Sequence, residues 1–265
     1  MLVSEVMLQQ TQVARVEPRY AAFMAHFPTV QACAEAPVGD VIGEWQGLGY
    51  NRRAVNLHRA ACVVVERHGG RLPDELDALL ALPGVGAYTA RAVLAFAYAR
   101  PVGVLDTNVG RVLARRRGRS LGRAEAQRLA DESVPSGQAW AWNQAMLDLG
   151  ATVCTPEPAC QHCPVRSSCA WRAAGLAAPD PARGSAGVSG PQSRFDGSDR
   201  QGRGRLVAAL RLAPVERADL ARVAGWPDQP DRSDRVAAGL VADGLASWDG
   251  DRLCLPGHPA VPVAP

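Results

Sequence analysis

The sequence contains no lysine, so all 29 of its Lys and Arg side chains are arginine. This absence excludes any mechanism that needs a side-chain amine, such as imine formation with a lysine. No apolar run reaches the length of about 18 residues that a membrane span requires, and the start lacks the basic-then-apolar order of a signal peptide. We therefore expect a cytoplasmic protein. The net charge of +3 is too small to indicate a polyanionic partner by itself.

Alternating apolar and polar runs, the sign of strands, are also few in the first two thirds of the chain. Residues 1–174 read as successive amphipathic helices with short polar turns, which predicts an all-α domain. The predicted helices cover residues 4–25, 30–35, 38–46, 53–67, 73–82, 88–98, 108–117, 123–133 and 140–149.

The composition changes after residue 174. Residues 184–203 are rich in Gly and Ser, so we interpret 175–204 as a flexible linker. Helical patterns at 205–212, 217–224 and 231–242 precede a predicted hairpin of 245–248 and 252–255. Three helices closed by a hairpin indicate a small winged-helix-like domain at 205–257. Residues 258–265 are predicted to be a disordered tail.

The segment Leu82-Pro-Gly-Val-Gly-Ala-Tyr-Thr-Ala90 separates two predicted helices by a Gly-rich turn. Such a turn leaves backbone N–H groups at the start of the second helix able to bind a phosphate. The pattern is that of the helix-hairpin-helix of many DNA-binding proteins. A turn of this kind between two helices also occurs without any ligand.

Four of the seven cysteines, Cys154, Cys160, Cys163 and Cys169, fall within 16 residues with spacers of five, two and five residues. This spacing in a chain without an export signal indicates a metal site. The residues alone leave zinc and an iron–sulfur cluster open. The scattered Cys33, Cys62 and Cys254 lie in apolar stretches and are predicted to be core thiols.

Several ordered blocks resemble one family. The segment Ser4-Glu-Val-Met-Leu-Gln-Gln-Thr-Gln-Val13 is similar to the signature helix of the adenine DNA glycosylases, in the endonuclease III superfamily. Further blocks in matching order are Gly47–Tyr50, Leu82–Ala90, Leu105–Val109 and Asn143–Gly150. The resemblance spans roughly residues 2–171 and implies a helix-hairpin-helix glycosylase core. It also implies a segment before the Glu5 helix, so we expect the upstream reading frame to encode a further amphipathic helix.

Cleavage of an N-glycosidic bond calls for a proton donor to the leaving base and a charge facing the oxocarbenium-like sugar. Glu5, among apolar neighbours, is expected to have a raised pKa that suits a donor, and the resemblance makes it the general acid. The resemblance places Asp106 opposite the developing positive charge, and its position before a helix favours the ionised form. The alternative reading is that Glu5 is a first-turn glutamate and Asp106 an N-cap.

Position 88 distinguishes branches of this superfamily. The bifunctional endonuclease III branch places a nucleophilic lysine where this chain has Tyr88. The resemblance therefore implies a monofunctional glycosylase that leaves an abasic site, with Tyr88 near the flipped base. A buried structural tyrosine is the alternative.

The resemblance also implies a set of DNA contacts. Gln9, Gln10 and Thr11 are expected beside the base opposite the flipped adenine, and Tyr50 is expected to intercalate. Further contacts are expected from Arg52, the hairpin residues Gly84, Val85 and Gly86, and Asn108. Arg53, Arg111, Arg115, Arg116 and Arg117 could neutralise phosphates, although each could equally be a solvated surface residue.

The resemblance implies that the four clustered cysteines bind a [4Fe–4S] cluster. We expect a monomeric, nucleoid-associated base-excision repair enzyme acting on adenine opposite 8-oxoguanine or guanine in duplex DNA. Alternatives are a thymine or uracil mismatch glycosylase of the same superfamily and a truncated, non-catalytic DNA-binding relative.

Overall fold

The computed structural model describes residues 1–185 and 194–257, which form two compact units. One unit contains residues 74–80 and 85–185, and the other contains residues 2–73, 81–84 and 194–257. None of the helices in the described residues combines the length and the apolar character needed to cross a membrane.

The unit that contains residues 2–73 begins with five helices. They are α1 (Leu2–Leu8), α2 (Val13–His26), α3 (Val30–Glu35), α4 (Val38–Glu44) and α5 (Arg52–His68). The prediction of one helix over residues 4–25 is wrong, because α1 ends at Leu8 and Gln10 adopts a left-handed backbone (φ 56°). The Arg53 guanidinium accounts for the break, since it donates to the carbonyls of Val6, Met7 and Gln9 at 2.7–2.9 Å. These carbonyls therefore have partners without a continuing helix.

The unit that contains residues 74–80 and 85–185 begins with five further helices. They are α6 (Leu76–Leu80), α7 (Ala87–Ala97), α8 (Thr107–Arg117), α9 (Arg123–Ser133) and α10 (Ala139–Asp148). A π-helical turn (Leu149–Val153), two 3₁₀ turns (Cys160–His162 and Arg166–Ser168) and α11 (Ala170–Ala173) follow. Helices α8, α9 and α10 enclose a core that includes Val112, Leu129 and Met146. The all-α helix-hairpin-helix architecture predicted from the sequence is confirmed.

The C-terminal part of the chain consists of α12 (Asp199–Leu210), β1 (Val215–Glu216), a 3₁₀ turn (Arg217–Asp219), α13 (Leu220–Ala224), α14 (Pro230–Ala242), β2 (Ser247–Asp249) and β3 (Arg252–Cys254). The strands form an antiparallel sheet in the order β1-β3-β2, with Val215 opposite Leu253 and Trp248 opposite Leu253. The sequence predicts the three helices and the hairpin. It misses β1, because a two-residue strand leaves no periodicity to detect.

The described ends of the predicted linker 175–204 are ordered, contrary to the sequence interpretation. Helix α12 starts six residues before the predicted position, and its Gly202 is required by packing: a Cβ there would lie 2.1 Å from the Trp226 ring. At the other end, Ser185 Oγ accepts from the Leu121 N–H at 3.2 Å. Composition alone does not distinguish packing glycines from flexible ones. The central part of that linker, 186–193, and the predicted tail, 258–265, lie outside the described residues.

The C-terminal elements share one hydrophobic core with α1–α5. Trp45 and Val55 from the N-terminal helices belong to the same buried cluster as Leu206 and Leu240. Arg211 Nε also donates to the Ile42 carbonyl at 3.1 Å. The winged-helix-like part is therefore built into this unit and is not a separate body.

Candidate active site

Asp106 caps the N-terminus of α8. Its Oδ1 accepts from the Val109 N–H at 2.7 Å, and its Oδ2 accepts from Asn108 Nδ2 at 3.1 Å. Burial raises the pKa of the Asp106 carboxyl, and the Val109 and Asn108 N–H groups and the Arg111 charge only partly oppose this shift. The N–H groups at the start of α8 favour the ionised carboxylate, as expected from its position, but burial has the larger effect on the pKa. Asp106 is thus an N-cap whose ionised form is made less favourable by burial.

The segment before Asp106 is fixed by a buried amide. Asn143 Oδ1 accepts from the Val104 N–H at 2.7 Å, while its Nδ2 donates to the Val102 and Ala139 carbonyls at 2.9 Å. Asn143 is the first residue of one of the matched sequence blocks, and its side chain is buried. Its amide therefore positions the segment that leads to Asp106.

The residues that follow Asp106 connect it to the cysteine-rich loop. Asn108 Oδ1 accepts from Arg111 Nη2 at 2.8 Å, and the same guanidinium donates to the Gly150 and Cys154 carbonyls at 2.7 and 2.6 Å. Gly150 must lack a side chain, because a Cβ would lie 2.6 Å from the Asn108 Cβ. The amide of Asn108, expected at DNA, thus binds inside the protein and orients Asp106.

The arginines expected at phosphates divide into two groups. Arg111 and Arg115 are buried, and the Arg53 guanidinium is committed to carbonyls of its own unit. These three guanidinium groups hold the fold and are not available to DNA, which corrects the prediction. Arg116 and Arg117, by contrast, are partly or largely solvent-accessible.

Glu5 lies on α1, beside the buried Val6 and Met7, and its side chain is half-buried. The helix is fastened by Arg53, which donates to α1 and also to the Leu48 and Gly49 carbonyls at 2.9 and 3.0 Å. Burial lowers the pKa of Arg53 to about 10, a value that still leaves the guanidinium charged at neutral pH. One side chain therefore ties the Glu5 helix to the loop that carries Tyr50.

Two residues expected to contact DNA adopt strained conformations. Gln10 and Tyr50 have φ angles of 56° and 46°, in the left-handed region that non-glycine residues seldom occupy. The Tyr50 side chain is 46% exposed, and the side chain of Gln10 is exposed as well. Such strain persists only where the surrounding structure maintains it, and it concentrates at functional sites.

The remaining predicted DNA contacts differ in how their side chains are used. The Thr11 hydroxyl lies 3.1 Å from the Leu48 carbonyl and accepts from Arg53 Nη2 at 3.0 Å, so it anchors the loop. Gln9 is half-buried and Arg52 is 65% exposed.

The Gly-rich turn between α6 and α7 has one position that demands glycine. Gly84 has φ 76°, and a Cβ there would lie 2.6 Å from the Asn56 Cβ. Gly86 precedes α7 as its N-cap. The Val85 side chain is buried, so only the main chain of Val85 can face a phosphate.

Tyr88, on the first turn of α7, is half-buried and packs against a cluster of Ala92, Ala95 and Val104. This packing supports the structural reading of the tyrosine. The catalytic reading stays a prediction.

All seven cysteines lie in the described residues, and none of them forms a disulfide there. Cys33 and Cys254 are buried, as predicted, whereas Cys62 is only partly covered; burial raises the Cys33 pKa to about 11. The four clustered cysteines line a single cavity together with Arg115 and Trp171. Within the described residues, however, no three His, Cys, Asp or Glu side chains converge on a point where they could hold one metal ion.

Four cysteine sulfurs are the donor set of an iron–sulfur cluster, and all four line one cavity here, so the residues present fit such a group. The same donor set also suits tetrahedral zinc. Arg115 Nη1 lies 3.4 Å from Cys154 Sγ, and its other nitrogen pairs with Asp180 Oδ2 at 2.7 Å. Burial raises the pKa of the Cys154 thiol, and the Arg115 guanidinium beside its sulfur only partly opposes this shift.

Sequence reasoning missed the structural roles of Arg53, Arg111, Arg115 and Asn143. Each of these side chains serves backbone carbonyls that are remote in sequence. A signal existed only for Asn143 and Arg111, which lie in or beside matched blocks. An arginine that donates to several buried backbone carbonyls has the same local sequence pattern as an arginine on the surface.

Comparisons with known proteins agree with this geometry. The model of the HhH-GPD superfamily of base excision DNA repair proteins matches residues 3–135. An adenine DNA glycosylase of Mycolicibacterium smegmatis is 42% identical, over 97% of this chain and 87% of the relative. The adenine DNA glycosylase of Homo sapiens is 44% identical, over 64% of this chain and 33% of the relative.

Among solved structures, a thermostable thymine-DNA glycosylase has a TM-score of 0.59 and 28% identity, covering 65% of this chain and 83% of its own. A trapped endonuclease III–DNA covalent intermediate has a TM-score of 0.59 and 23% identity, covering 66% and 84%, and this likeness shows the fold alone. The chain belongs to the HhH-GPD superfamily of base excision DNA repair proteins, within the family of the adenine DNA glycosylases.

Proposed function

We propose that this protein excises adenine from duplex DNA where adenine is mispaired with 8-oxoguanine or guanine, and that it acts as a monomer. The observation that carries the proposal is the identity of 42% with an adenine DNA glycosylase over 97% of the chain. The contacts that fix the Asp106 carboxyl and the helix that carries Glu5 support it, because they hold both elements in defined positions within their own units.

In this mechanism Glu5 donates a proton to the adenine ring, which makes the base a better leaving group. The ionised Asp106 faces the positive charge that develops on the sugar as the N-glycosidic bond breaks. Water then adds to the sugar, and Glu5 accepts a proton from it. Gln9, Gln10 and Tyr50 fill the stack beside the extruded nucleotide, while Tyr88 packs near the base. The main chain of Gly84, Val85 and Gly86 holds a phosphate.

The reaction ends at an abasic site. Strand cleavage through an imine needs an amine side chain, and the chain contains no lysine. The product strand is therefore expected to stay intact until it is treated with alkali.

The direct test of the mechanism is Glu5→Gln, which removes the proton donor but preserves size and hydrogen bonding. We expect single-turnover excision to fall by at least about 100-fold, since general acid catalysis contributes about 10²–10⁴-fold. Duplex binding, measured by fluorescence anisotropy, should persist. Retention of excision near the wild-type rate would remove Glu5 from this role.

We also propose that Cys154, Cys160, Cys163 and Cys169 hold a [4Fe–4S] cluster, which would organise the loop they share and supply no electrons to a hydrolytic reaction. The cavity that all four line supports this assignment. Protein purified without oxygen should contain iron and acid-labile sulfide in equal amounts. Stoichiometric zinc without iron would contradict the proposal.

A second candidate activity is excision of mismatched thymine. The structural likeness to a thymine-DNA glycosylase, at 28% identity, supports this candidate. The nearly full-length identity with adenine DNA glycosylases favours adenine.

A further inference from the structure

A cavity of about 710 Å³ opens where the Tyr50 loop meets the C-terminal helices, within one compact unit. This volume lies in the range of about 300–1,000 Å³ found for ligand sites. From the N-terminal part of the chain its lining includes Gln10, Arg15, Arg52 and residues 47–51. From the C-terminal part it includes Phe195, Arg200, Arg203, Gly204, Leu240 and Leu245.

The two sides of the cavity are fixed to each other. Arg211, at the end of α12, donates from Nη2 to Asn51 Oδ1 at 3.0 Å. Asp243, which follows α14, forms ion pairs with both Arg203 and Arg52, the latter at 3.4 Å. The shared core beneath these contacts makes the cavity a built feature of the fold.

The cavity is strongly basic. Its lining includes five arginines, and among the described residues no Asp or Glu lines it. Asp243, at its edge, pairs with two of the five. Arg15 is exposed and has no carboxylate partner among the described residues. The central carbon of the Arg200 guanidinium lies over the Phe195 ring, 5.9 Å from its centroid. The positive net charge of the cavity lining therefore favours an anionic ligand.

The cavity also includes both residues whose strained backbone was noted above, Gln10 and Tyr50. Strain at two positions of one lining indicates that their placement is functional. Guanidinium groups bind phosphate oxygens in planar, paired geometry, and an aromatic ring at the same opening suits a sugar or base.

We propose that this cavity is a binding site for the phosphodiester backbone of DNA, in which α12 of the C-terminal segment supplies Arg200 and Arg203 next to Arg15 and the Tyr50 loop. The proposal rests on the proposed function only in taking DNA as the ligand. It gives the winged-helix-like segment a DNA contact through its first helix.

The test compares the salt dependence of binding in the full-length protein. Each phosphate contact that is lost reduces the slope of log K against log salt concentration by about 0.9 for duplex DNA. We expect the double variant Arg15→Gln/Arg200→Gln to lose up to about two units of slope. Arg235→Gln removes one charge from an exposed position on α14 outside the cavity and should leave the slope unchanged. Equal slopes for the wild type, the double variant and the control would overturn the proposal.

A second pair of variants tests the cavity without removing charge. A Cβ at Gly204 would meet nothing within 4 Å, so Gly204→Ala should bind DNA as the wild type does. Gly204→Phe should fill the space and weaken binding at least several-fold, with the melting temperature no lower than that of the wild type. Unchanged affinity of Gly204→Phe would contradict the assignment.

Two further measurements distinguish a DNA-binding site from a site for free phosphate, and distinguish this proposal from the proposed function. Stabilisation by inorganic pyrophosphate that is lost in the double variant, together with an unchanged DNA slope, would mean that the cavity takes a free phosphate and would overturn the DNA assignment. Adenine excision is measured on the same proteins. The wild type and the double variant could show the predicted difference in slope while the wild type releases no adenine. That result would refute the proposed function but would still support this DNA-binding site.

Discussion

At the scale of single residues, the Asp106 carboxylate imposes a cost on folding. Because burial raises its pKa, the folded protein binds this proton more tightly than the unfolded chain does. Its favourable contribution is therefore present at low pH and is lost as the pH rises through the raised pKa. The ionised form, which the chemistry needs, is therefore less favourable in the folded protein than in the unfolded chain.

We predict that Asp106→Ser is at least as stable as the wild type at pH 7, because serine is as good an N-cap and carries no charge. Asp106→Ala, which loses the cap, should be less stable than the serine variant by about 1 kcal/mol. Urea unfolding at pH 7 and pH 5 measures both effects. The free energy of unfolding of the wild type, relative to that of the serine variant, should be higher at pH 5 than at pH 7. A lower relative value at pH 5 would contradict this explanation. Excision should collapse in both variants.

How far the sequence predicts this site depends on the kind of residue. Asp106 and Glu5 stand in motifs whose chemistry is readable from local neighbours and resemblance. The roles of Asn108 and Arg111 are not readable in this way. Asn108 accepts from the Arg111 guanidinium, and that guanidinium donates to the Gly150 and Cys154 carbonyls about 40 residues away. The sequence predicts a DNA contact for Asn108 and a phosphate contact or a solvated surface position for Arg111, whereas both side chains bind within the protein.

At the scale of elements, α1 depends on one side chain. Arg53 serves three carbonyls at the end of α1 and two in the Tyr50 loop. A seven-residue helix has little stability of its own. The position of Glu5 is therefore set by Arg53 more than by the helical propensity of its own segment.

We expect Arg53→Gln to lower the free energy of unfolding by about 2–4 kcal/mol, since several buried carbonyls lose a charged donor. The neighbouring Arg52→Gln is the matched control: its side chain is 65% exposed and has one ion pair, so the change should stay within about 0.5 kcal/mol. Chemical denaturation compares the two variants. Equal stabilities would show that Arg53 does not fasten α1.

The boundary between α1 and α2 illustrates what periodicity cannot show. The apolar stripe continues across residues 4–25, so the pattern predicts one helix. The interruption is caused by Arg53, which lies about 45 residues away and stabilises the free carbonyls. By contrast, α3 and α9 match the predicted bounds, because Thr29 caps α3 and turn residues flank both helices.

At the scale of the whole chain, the C-terminal segment is part of the unit that carries Glu5. The sequence suggests a tethered second domain, because its Gly- and Ser-rich stretch resembles a linker. The structure instead unites Leu206 with Trp45 and Val55 in one core. Core membership depends on which apolar faces meet, and a single sequence does not report that.

We predict that Leu206→Ala destabilises α4 and α5 together with the C-terminal helices, by about 2–5 kcal/mol. Hydrogen exchange should show reduced protection of α5 as well as of α14. Leu212→Ala, at a position that is 89% exposed, serves as the control and should change stability by no more than about 0.5 kcal/mol. Loss of protection confined to α12–α14 would show that the segment folds independently.

The most direct test of the central claim is a single-turnover assay of the wild-type protein on duplexes with adenine opposite 8-oxoguanine, adenine opposite guanine and thymine opposite guanine. We predict release of adenine from the first two, no thymine from the third, and strand breaks only after alkali. Release of thymine, or failure to release adenine from a duplex that the protein binds, would contradict it.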